Sequence, residues 1–258
     1  MGIVNVTPDS FSEAGETFSH DAAIARGLRL VDEGADIVDV GGESTRPGAT
    51  PVTPAEEVRR VEPVVRELAA RGAIVSIDTR HAAVMKAALA AGARIINDVS
   101  ALAGDAESIA VAAGSDADLV LMHMPGDPLT MRAHRDDYDD VVEDVLSYLE
   151  ARVAVCEAAG IARSRIAVDP GFGFGKHPAD NLRLLDELRR FREIGCPVLV
   201  GLSRKFGKGK TPADRLSESL DLARRAVANG ADIVRAHDVA ETVAVLGAGR
   251  RLRCNGPK

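Results

Sequence analysis

The sequence has little aromatic and sulfur chemistry. It contains no tryptophan, two tyrosines, six phenylalanines and three cysteines in 258 residues. Cys156, Cys196 and Cys254 are odd in number and show no CxxC spacing, so they argue against a disulfide framework or a zinc–thiolate site. They indicate reduced thiols in a cytoplasmic protein. No apolar run is long enough to span a membrane, and none resembles a secretion signal, so we expect no membrane partner.

The chain also has fewer positively charged than negatively charged residues. Lys and Arg number 32 against 39 Asp and Glu, which gives a net charge of -7. An acidic chain lacks a general surface for nucleic acid, so we expect no nucleic-acid partner. An anionic ligand would therefore need a local cluster of cations. The hydrophobic share of 46% is enough for a buried core in one large α/β domain or two small ones.

Short runs rich in Ile, Val and Leu recur along the chain, as is typical of buried parallel strands. They occupy 2–6, 36–40, 74–77, 94–99, 118–122, 166–168, 198–202 and 232–234. Helical patterns follow them, at 21–33, 54–70, 80–91, 106–113, 139–159, 179–192, 212–229 and 239–246. Thr53 and Pro54 are a typical N-cap and first helical residue.

The eightfold alternation of strand and helix predicts an α/β fold, a single (β/α)8 TIM barrel whose one domain spans residues 1–258. The alternative is an open doubly wound sheet, which usually has five or six strands. Two long loops, 7–18 and 41–53, follow the first two strands. Loops of this length in a tight barrel usually act as lids over the C-terminal mouth.

Polar residues follow each of the eight runs, with charges of both signs. Because parallel strand ends meet at one mouth, these side chains are expected to surround a common site. Helix capping is the structural alternative for some of them. They are Asn5, Asp39, Asp78, Asn97, Asp98, His123, Asp169, Ser203, Arg204, Lys205, Arg235, His237 and Asp238. We expect Asp78, Asn97 and Asp98 to line the pocket opposite Asp169.

The segment 166–176 ends a strand in Asp169 and continues with three alternate glycines, two phenylalanines and Lys176. Its spacing matches neither a P-loop nor a dinucleotide motif. A carboxylate beside aromatic rings suits a flat heterocycle with amide or guanidine-like N–H groups. A tight glycine turn is the structural alternative. Lys176 is interpreted as a loop or helix-start residue.

Lys205, Arg235 and His237 follow the last two strands, where barrels often bind phosphate. In an acidic chain, this cluster predicts an anionic ligand, and Arg46 is a further candidate contact. Salt bridging to Asp238 and Glu241 is the alternative. No Ser-His-Asp or Cys-His arrangement is found. His123 either faces the mouth or is structural. Four further histidines have no acidic or thiol residue at metal-ligand spacing, so we expect them to be surface residues: His20, His81, His134 and His177.

The strand-end motifs of the chain resemble those of the dihydropteroate synthase family. The matching blocks run in family order along the chain: 1–12 (MGIVNVTPDSFS), 39–48 (DVGGESTRPG), 76–79 (SIDT), 96–100 (INDVS), 120–124 (VLMHM), 169–176 (DPGFGFGK), 199–205 (LVGLSRK) and 234–239 (VRAHDV). The resemblance implies a (β/α)8 barrel that joins 6-hydroxymethyl-7,8-dihydropterin diphosphate to 4-aminobenzoate. The products would be 7,8-dihydropteroate, a folate precursor, and pyrophosphate.

The resemblance also implies roles for individual residues. Asp78, Lys205, Arg235 and His237 would be catalytic. The substrates would contact Thr45, Arg46, Pro47, Asp78, Asn97, Met122, Asp169, Phe174, Gly201, Lys205, Arg235 and His237. Asp169 would hold the aminopyrimidine edge of the pterin. Asn5 would bind the cofactor Mg2+ together with the diphosphate oxygens. The implied mechanism is an SN1-like displacement in a cytoplasmic homodimer with small-molecule partners only.

Two rival functions remain open on the sequence. One is a pterin-binding relative that has lost synthase activity. The other is a methyltetrahydrofolate-dependent corrinoid methyltransferase, which is another pterin-binding barrel. That enzyme needs a cobalamin-binding partner, for which the sequence offers no feature.

Overall fold

A computed structural model describes residues 1–7, 19–45, 50–135, 137–205, 211 and 215–247. Arg46, Pro47 and most of the first predicted lid therefore lie outside the described residues. The strands are β1 Gly2–Asn5, β2 Val38–Gly41, β3 Val75–Asp78, β4 Ile95–Asp98, β5 Asp118–Met122, β6 Ile166–Asp169, β7 Leu199–Val200 and β8 Ile233–Val234. The α-helices are α1 His20–Asp32, α2 Pro54–Ala70, α3 Ala82–Ala90, α4 Ser108–Ala113, α5 Val141–Ala158, α6 Pro178–Asp186, α7 Leu216–Ala228 and α8 Val239–Leu246.

The strands close into a ring. β1 to β6 form one parallel sheet in chain order, and β7 pairs with β8 in parallel. Single bridges join the two sheets, Val168 with Val198 on one side and Gly2 with Ala236 on the other. At the second seam, Ala236 N donates to the Met1 carbonyl at 2.9 Å. The structure therefore confirms the barrel and excludes the open-sheet alternative.

Strand parity divides the core into two layers. Alternate side chains, including Ile37, Ile95, Val120 and Leu199, form a small cluster of their own. Their neighbours in the same strands belong to the large cluster that includes helix residues such as Leu68. Because successive strand residues point to opposite faces, the first set fills the barrel and the second packs under the helices. Asp39, two residues after Ile37, therefore faces the interior.

The predicted helix 179–192 is wrong in its second half. α6 ends at Asp186, and a 3-10 helix runs over Leu188–Ile194. Leu188, Phe191 and Ile194 are all buried, at a spacing of three residues. A 3-10 helix has three residues per turn, so this spacing aligns all three side chains, whereas an α-helix would spread them over an arc of about 120°. Gly195 then ends the segment with φ 80°.

Local signals elsewhere act as predicted. The Thr53 side chain accepts a hydrogen bond from Glu56 N at 3.3 Å, and Pro54 opens α2. Cys156 and Cys196 are buried free thiols, while Cys254 lies outside the described residues. Within the described part of the chain, no helix combines the length and the apolar character that crossing a membrane requires.

We expect Leu68→Ala to lower the free energy of unfolding by about 3 kcal/mol, since it leaves a cavity in a packed core. Leu68 is fully buried, and a Cβ atom on Gly27 of α1 would lie 2.7 Å from its Cδ2 atom. Leu182→Ala, at a side chain that is 48% exposed on α6, is the matched control. Urea unfolding of both variants measures the difference. Equal losses would contradict this account of α1–α2 packing.

Candidate functional site at the barrel mouth

Arg235 joins three strand ends inside the mouth. Its Nε donates to Asp39 Oδ2 and one Nη to Asp78 Oδ2, both at 2.6 Å. The side chain of Asp39 is fully buried, and those of Asp78 and Arg235 are less than one fifth exposed. The guanidinium therefore connects the segment after β8 to β2 and β3. The alternative pairing of this cluster with Asp238 is wrong, because Arg204 forms the ion pair with Asp238.

Asn97 belongs to the same network. Its Nδ2 donates to Asp39 Oδ2 at 3.1 Å, while the second carboxylate oxygen of Asp39 is buried with no hydrogen-bond partner among the described residues. Asn97 of β4 therefore faces inward. An acceptor left free in a closed site is available to a ligand that carries N–H groups.

Asp98, the next residue, does not line the mouth, so that prediction is wrong. Its carboxylate accepts hydrogen bonds from Ser100 N at 2.7 Å and from Leu102 N at 3.0 Å. The side chain is buried. Adjacent residues of a strand point to opposite faces, so only one of Asn97 and Asp98 can reach the interior. Asp98 caps the turn after β4.

Asp169 ends β6 and begins the glycine loop, residues 169–176. Its Oδ1 accepts from Gly171 N at 2.7 Å. Gly171 has φ 72°, and a Cβ atom there would lie 1.9 Å from the His123 carbonyl oxygen. Glycine is therefore required for the turn that supports the carboxylate.

Lys205 reaches the glycine loop from the end of β7. Its Nζ donates to the Phe172 carbonyl at 2.8 Å and lies 4.3 Å from the centre of the Phe174 ring. A Cβ atom on Gly201 would lie 3.6 Å from the same Nζ. The sequence-predicted residues Phe174, Gly201 and Lys205 are thus brought together.

An apolar wall completes this side of the mouth. Met122 ends β5 and is buried with Val99, Met124 and Met131, and Phe174 packs against this group. Met122 and Phe174 are thereby placed together, as the resemblance implied. A thioether and an aromatic ring offer a polarizable face against which a flat ring can pack.

The remaining described site residues lie at the rim. His237 N donates to Ser203 Oγ at 3.1 Å, and its Nδ1 lies 3.1 Å from the same oxygen. Asn5 is half-buried at the end of β1, opposite Gly41. Its side chain forms no hydrogen bond within the described part of the chain. Thr45 is half-buried and is the last described residue before Arg46.

Burial shifts the ionisation of the central groups. It raises the pKa of Asp78 to about 7, with Arg235 opposing the shift, and it raises the pKa of Asp169, with Lys205 opposing. It lowers the pKa of Lys205 to about 8, against the attraction of Asp169. Burial also works against the charge of Arg235, but Asp39 and Asp78 outweigh it and raise its pKa. The mouth therefore holds several groups that change charge near neutral pH.

A second cluster lies at the base of the loop after β2. Glu43, Glu57 and His81 place donor atoms within 4.8 Å of one another, and theirs is the one such group found among the described residues. His81 Nδ1 lies 2.8 Å from Glu57 Oε2, and His81 is half-buried beside acids that residue spacing did not reveal. Arg80 Nε donates to Glu43 at 3.2 Å. The contacts of these two carboxylates join α2 to the segments that follow β2 and β3.

Three other histidines make contacts that residue spacing does not reveal. His134 Nδ1 lies 2.7 Å from Asp137 Oδ2, a local pair on the surface. His177 N donates to Asp180 in a capping box at the start of α6. His123 is buried, with Nδ1 3.0 Å from Lys176 Nζ, so its structural alternative is the one observed.

Sequence reasoning placed Asp39 at the mouth without an individual role and treated Lys176 as a loop or helix-start residue. Asp39 could have been recognised from parity, because it alternates with Ile37 and Gly41 on the inward face. Lys176 is 2% exposed and folds back under its own loop. Its burial follows from glycine dihedral angles that residue spacing does not reveal.

Comparisons with known proteins identify the family of the chain. Residues 1–237 match the family model described as pterin binding enzyme. Dihydropteroate synthase of Neisseria meningitidis serogroup B is 48% identical over 257 residues, with 95% of this chain and 90% of that protein covered. The chain belongs to the dihydropteroate synthase family. The probable bifunctional folylpolyglutamate synthase/dihydropteroate synthase of Haloferax volcanii is 48% identical over 252 residues, and this chain spans 30% of its length.

Solved structures of dihydropteroate synthase share the fold. The Xanthomonas albilineans enzyme with 4-aminobenzoic acid superposes with a TM-score of 0.88 at 48% identity, covering 95% of this chain and 89% of that one. The same enzyme in complex with 7,8-dihydropteroate gives a TM-score of 0.85 at 45% identity, with the same shares covered.

We expect Gly171→Ala to cost at least about 3 kcal/mol more in unfolding free energy than Gly160→Ala, because only the first adds a backbone clash. Gly160 has φ 88° and no atom within 4 Å of an added Cβ. Both variants carry the left-handed strain of roughly 1–2 kcal/mol, so their difference isolates the contact with His123. Thermal and urea unfolding measure it. Similar values would show that the glycine loop has room to move.

Proposed function

We propose that this chain catalyses the dihydropteroate synthase reaction. It would join 6-hydroxymethyl-7,8-dihydropterin diphosphate to 4-aminobenzoate and release 7,8-dihydropteroate and pyrophosphate. The observation that carries the proposal is that one mouth holds both carboxylates that can accept N–H groups and cations that can bind phosphate. Asp169 lies on the glycine loop that Lys205 also contacts, and Arg235 is paired with Asp39 and Asp78.

The pterin would bind between the glycine loop and the ends of β3 and β4. Asp169 would accept N–H bonds from the aminopyrimidine edge, with Asp78 and Asn97 completing the polar contacts. Met122 and Phe174 would pack on the ring faces. The recognition depends on Asp169 being ionised, because a carboxylate accepts two N–H bonds where a neutral acid offers fewer acceptors.

The diphosphate would bind beside Arg235 and His237. Arg235 uses Nε and one Nη for Asp39 and Asp78, which leaves its other Nη for a phosphate oxygen. His237 and Arg46 would add contacts, the latter from outside the described residues. Thr45, Pro47, Gly201 and Lys205 would frame 4-aminobenzoate. The missing side chain of Gly201 leaves room beside the Lys205 ammonium.

Asn5 fits the expected Mg2+. Mg2+ prefers oxygen ligands and commonly takes one or two from protein, with the rest from phosphates and water. A side-chain amide at the mouth with no hydrogen bond to the described residues supplies one such oxygen. The ion, when bound, would offset negative charge on the diphosphate.

Departure of pyrophosphate would break the C–O bond at the pterin methylene, and its charge would be met by Arg235, His237 and Lys205. The cationic methylene left behind would face Asp78, and the uncharged aryl amine would attack it and then lose a proton to solvent. Since the aryl amine is neutral at physiological pH, no strong base is needed. Homodimerisation and a cytoplasmic location complete the proposal.

The direct test incubates the purified chain with both substrates and Mg2+ and follows pyrophosphate release and dihydropteroate formation. We expect both products in equal amounts, and we expect neither when 4-aminobenzoate is omitted. Calorimetry with the pterin substrate runs in parallel. Pterin binding without product would overturn the synthase assignment and favour a binding relative. Methyl transfer from methyltetrahydrofolate to a corrinoid protein would favour the other rival.

We expect Asp169→Ala to weaken binding of the pterin substrate by about 100-fold, since it removes a charged acceptor for more than one N–H group. Asp118→Ala is the matched control, because Asp118 is exposed at the opposite end of β5. Titration calorimetry measures both variants. An affinity for Asp169→Ala within twofold of the control would remove Asp169 from the pterin site.

We expect kcat/KM to fall as pH rises through about 8, where the Lys205 ammonium loses its proton. Burial lowers this pKa, so the cation is present below the value and lost above it. An anionic substrate favours the ammonium, so the alkaline limb of kcat should lie at higher pH than that of kcat/KM. Lys205→Arg should move the alkaline limb beyond pH 10, because arginine stays charged. An unchanged limb in that variant would assign it to another group.

A further inference from the structure

The proposed function leaves Lys176 without a task, although it is one of the most buried charged residues among those described, with 2% exposure. Its Nζ donates to the Gly171 carbonyl at 3.0 Å and to the Phe174 carbonyl at 3.1 Å. It also lies 3.0 Å from His123 Nδ1. The side chain therefore turns back beneath the loop from which it emerges.

These are the three nearest acceptors, one for each hydrogen of an ammonium group, and the His123 carbonyl oxygen lies farther from Nζ, at 3.4 Å. Burial lowers the pKa of His123 to about 2, and the nearby Lys176 charge adds to the shift. The imidazole is therefore neutral, and its Nδ1 lone pair accepts from Nζ. Its ring stands edge-on to Tyr148, with the centroids 4.9 Å apart. His123 is thus fixed as a partner for a charged lysine.

Phe172 packs into the core and Phe174 against the Met122 group, but the three glycines of the loop contribute no side chain that could hold the turn. Gly171, Gly173 and Gly175 all have positive φ, at 72°, 81° and 55°. A Cβ atom at Gly175 would lie 2.7 Å from the Met131 carbonyl oxygen, which is also too close, although less so than the contact at Gly171. Carbonyl groups turned inward by this backbone require donors, since leaving them unpaired costs about 1–3 kcal/mol each.

A second lysine holds the carbonyl between the two that Lys176 holds. Lys205 Nζ bonds the Phe172 carbonyl, and the Phe174 ring lies beside the same Nζ. The two amines therefore divide the carbonyls of residues 171, 172 and 174 between them. Displacing Lys176 would move the Phe174 ring, the Gly171 N–H that bonds Asp169, and the loop that Lys205 contacts.

We propose that Lys176 is a positioning residue for pterin recognition, which holds the glycine loop through its carbonyl groups and keeps the Asp169 carboxylate in place and ionised. The proposal rests on the function proposed above, because the pterin is the ligand that Asp169 would bind. Lys176 itself touches no substrate.

The electrostatic part follows from the charges around the two residues. Asp169 faces Lys205 and Arg235 as well as Lys176, and Lys176 also faces Asp180 and the neutral His123. Burial raises the pKa of Asp169, and the cations oppose that shift. Burial lowers the pKa of Lys176 to about 7. The ammonium is therefore charged below neutral pH, where its attraction opposes protonation of Asp169.

The test uses the whole chain with Lys176→Met and Lys176→Gln. Methionine removes both the charge and the donors, whereas glutamine removes the charge but keeps two N–H donors. Lys86→Met, at a lysine whose side chain is 59% exposed on α3, is the matched control. Calorimetry measures binding of 6-hydroxymethyl-7,8-dihydropterin from pH 5 to 8, and thermal unfolding checks the fold. If Lys176→Met does not fold, Lys176→Gln carries the measurement.

We expect Lys176→Met to lose at least about tenfold in pterin affinity at pH 7. Without the ammonium, Asp169 protonates at higher pH, so the acid limb of pterin affinity should move to higher pH in both variants. Pterin affinity equal to that of Lys86→Met would overturn the proposal. So would a loss of affinity without movement of the acid limb, which a purely structural role predicts.

The readout separates this proposal from the proposed function. Pterin affinity needs neither 4-aminobenzoate nor turnover, so a wild-type chain that binds pterin without releasing pyrophosphate would refute the synthase activity and still test Lys176. A wild-type chain with no pterin affinity would refute both, because the Lys176 proposal requires a pterin ligand.

Discussion

The structure depends on one buried guanidinium. Arg235 follows β8 and pairs with Asp39 of β2 and Asp78 of β3, passing over β1. The ring closes at that seam through the single bridge between Gly2 and Ala236. An interior carboxylate without a partner would be strongly destabilising, so removing the arginine would leave two charges uncompensated where the sheet is least extensive. A group that the chemistry requires thus also helps to hold the barrel closed.

The same pairing sets the chemistry of the mouth. Asp39 and Asp78 accept hydrogen bonds from Nε and one Nη of the guanidinium and so orient its other Nη. Asp39 also orients Asn97. On the other side, Lys205 and the glycine loop keep a cation and the Asp169 carboxylate close without a direct hydrogen bond between them among the described contacts. Opposite charges held apart by backbone carbonyl groups remain available to a ligand that carries both N–H donors and phosphate.

Sequence reasoning succeeded where a pattern maps onto one geometric rule. Short Ile, Val and Leu runs separated by helices indicated the barrel, and parallel strands bring polar residues such as Asp78, Asn97 and Asp169 to one mouth. It failed where two rules compete. Asp98 follows Asn97 directly, and strand parity sends it outward to cap a turn. The segment 179–192 satisfied a helical pattern, yet the buried triplet Leu188, Phe191 and Ile194 favoured a tighter 3-10 turn.

The order of residue types along the chain determined the α/β class, the eight strand ends, and the acidic, amide and cationic residues at those ends. Local chemistry was enough for this, because burial of a strand and capping of a helix depend on near neighbours. Only the tertiary structure decided the partners. Arg235 meets Asp39 across 196 positions of sequence, His81 meets Glu57, and Lys176 meets His123. Charges far apart in the chain acquire a partner, and a shifted pKa, only when the barrel closes and removes water from around them.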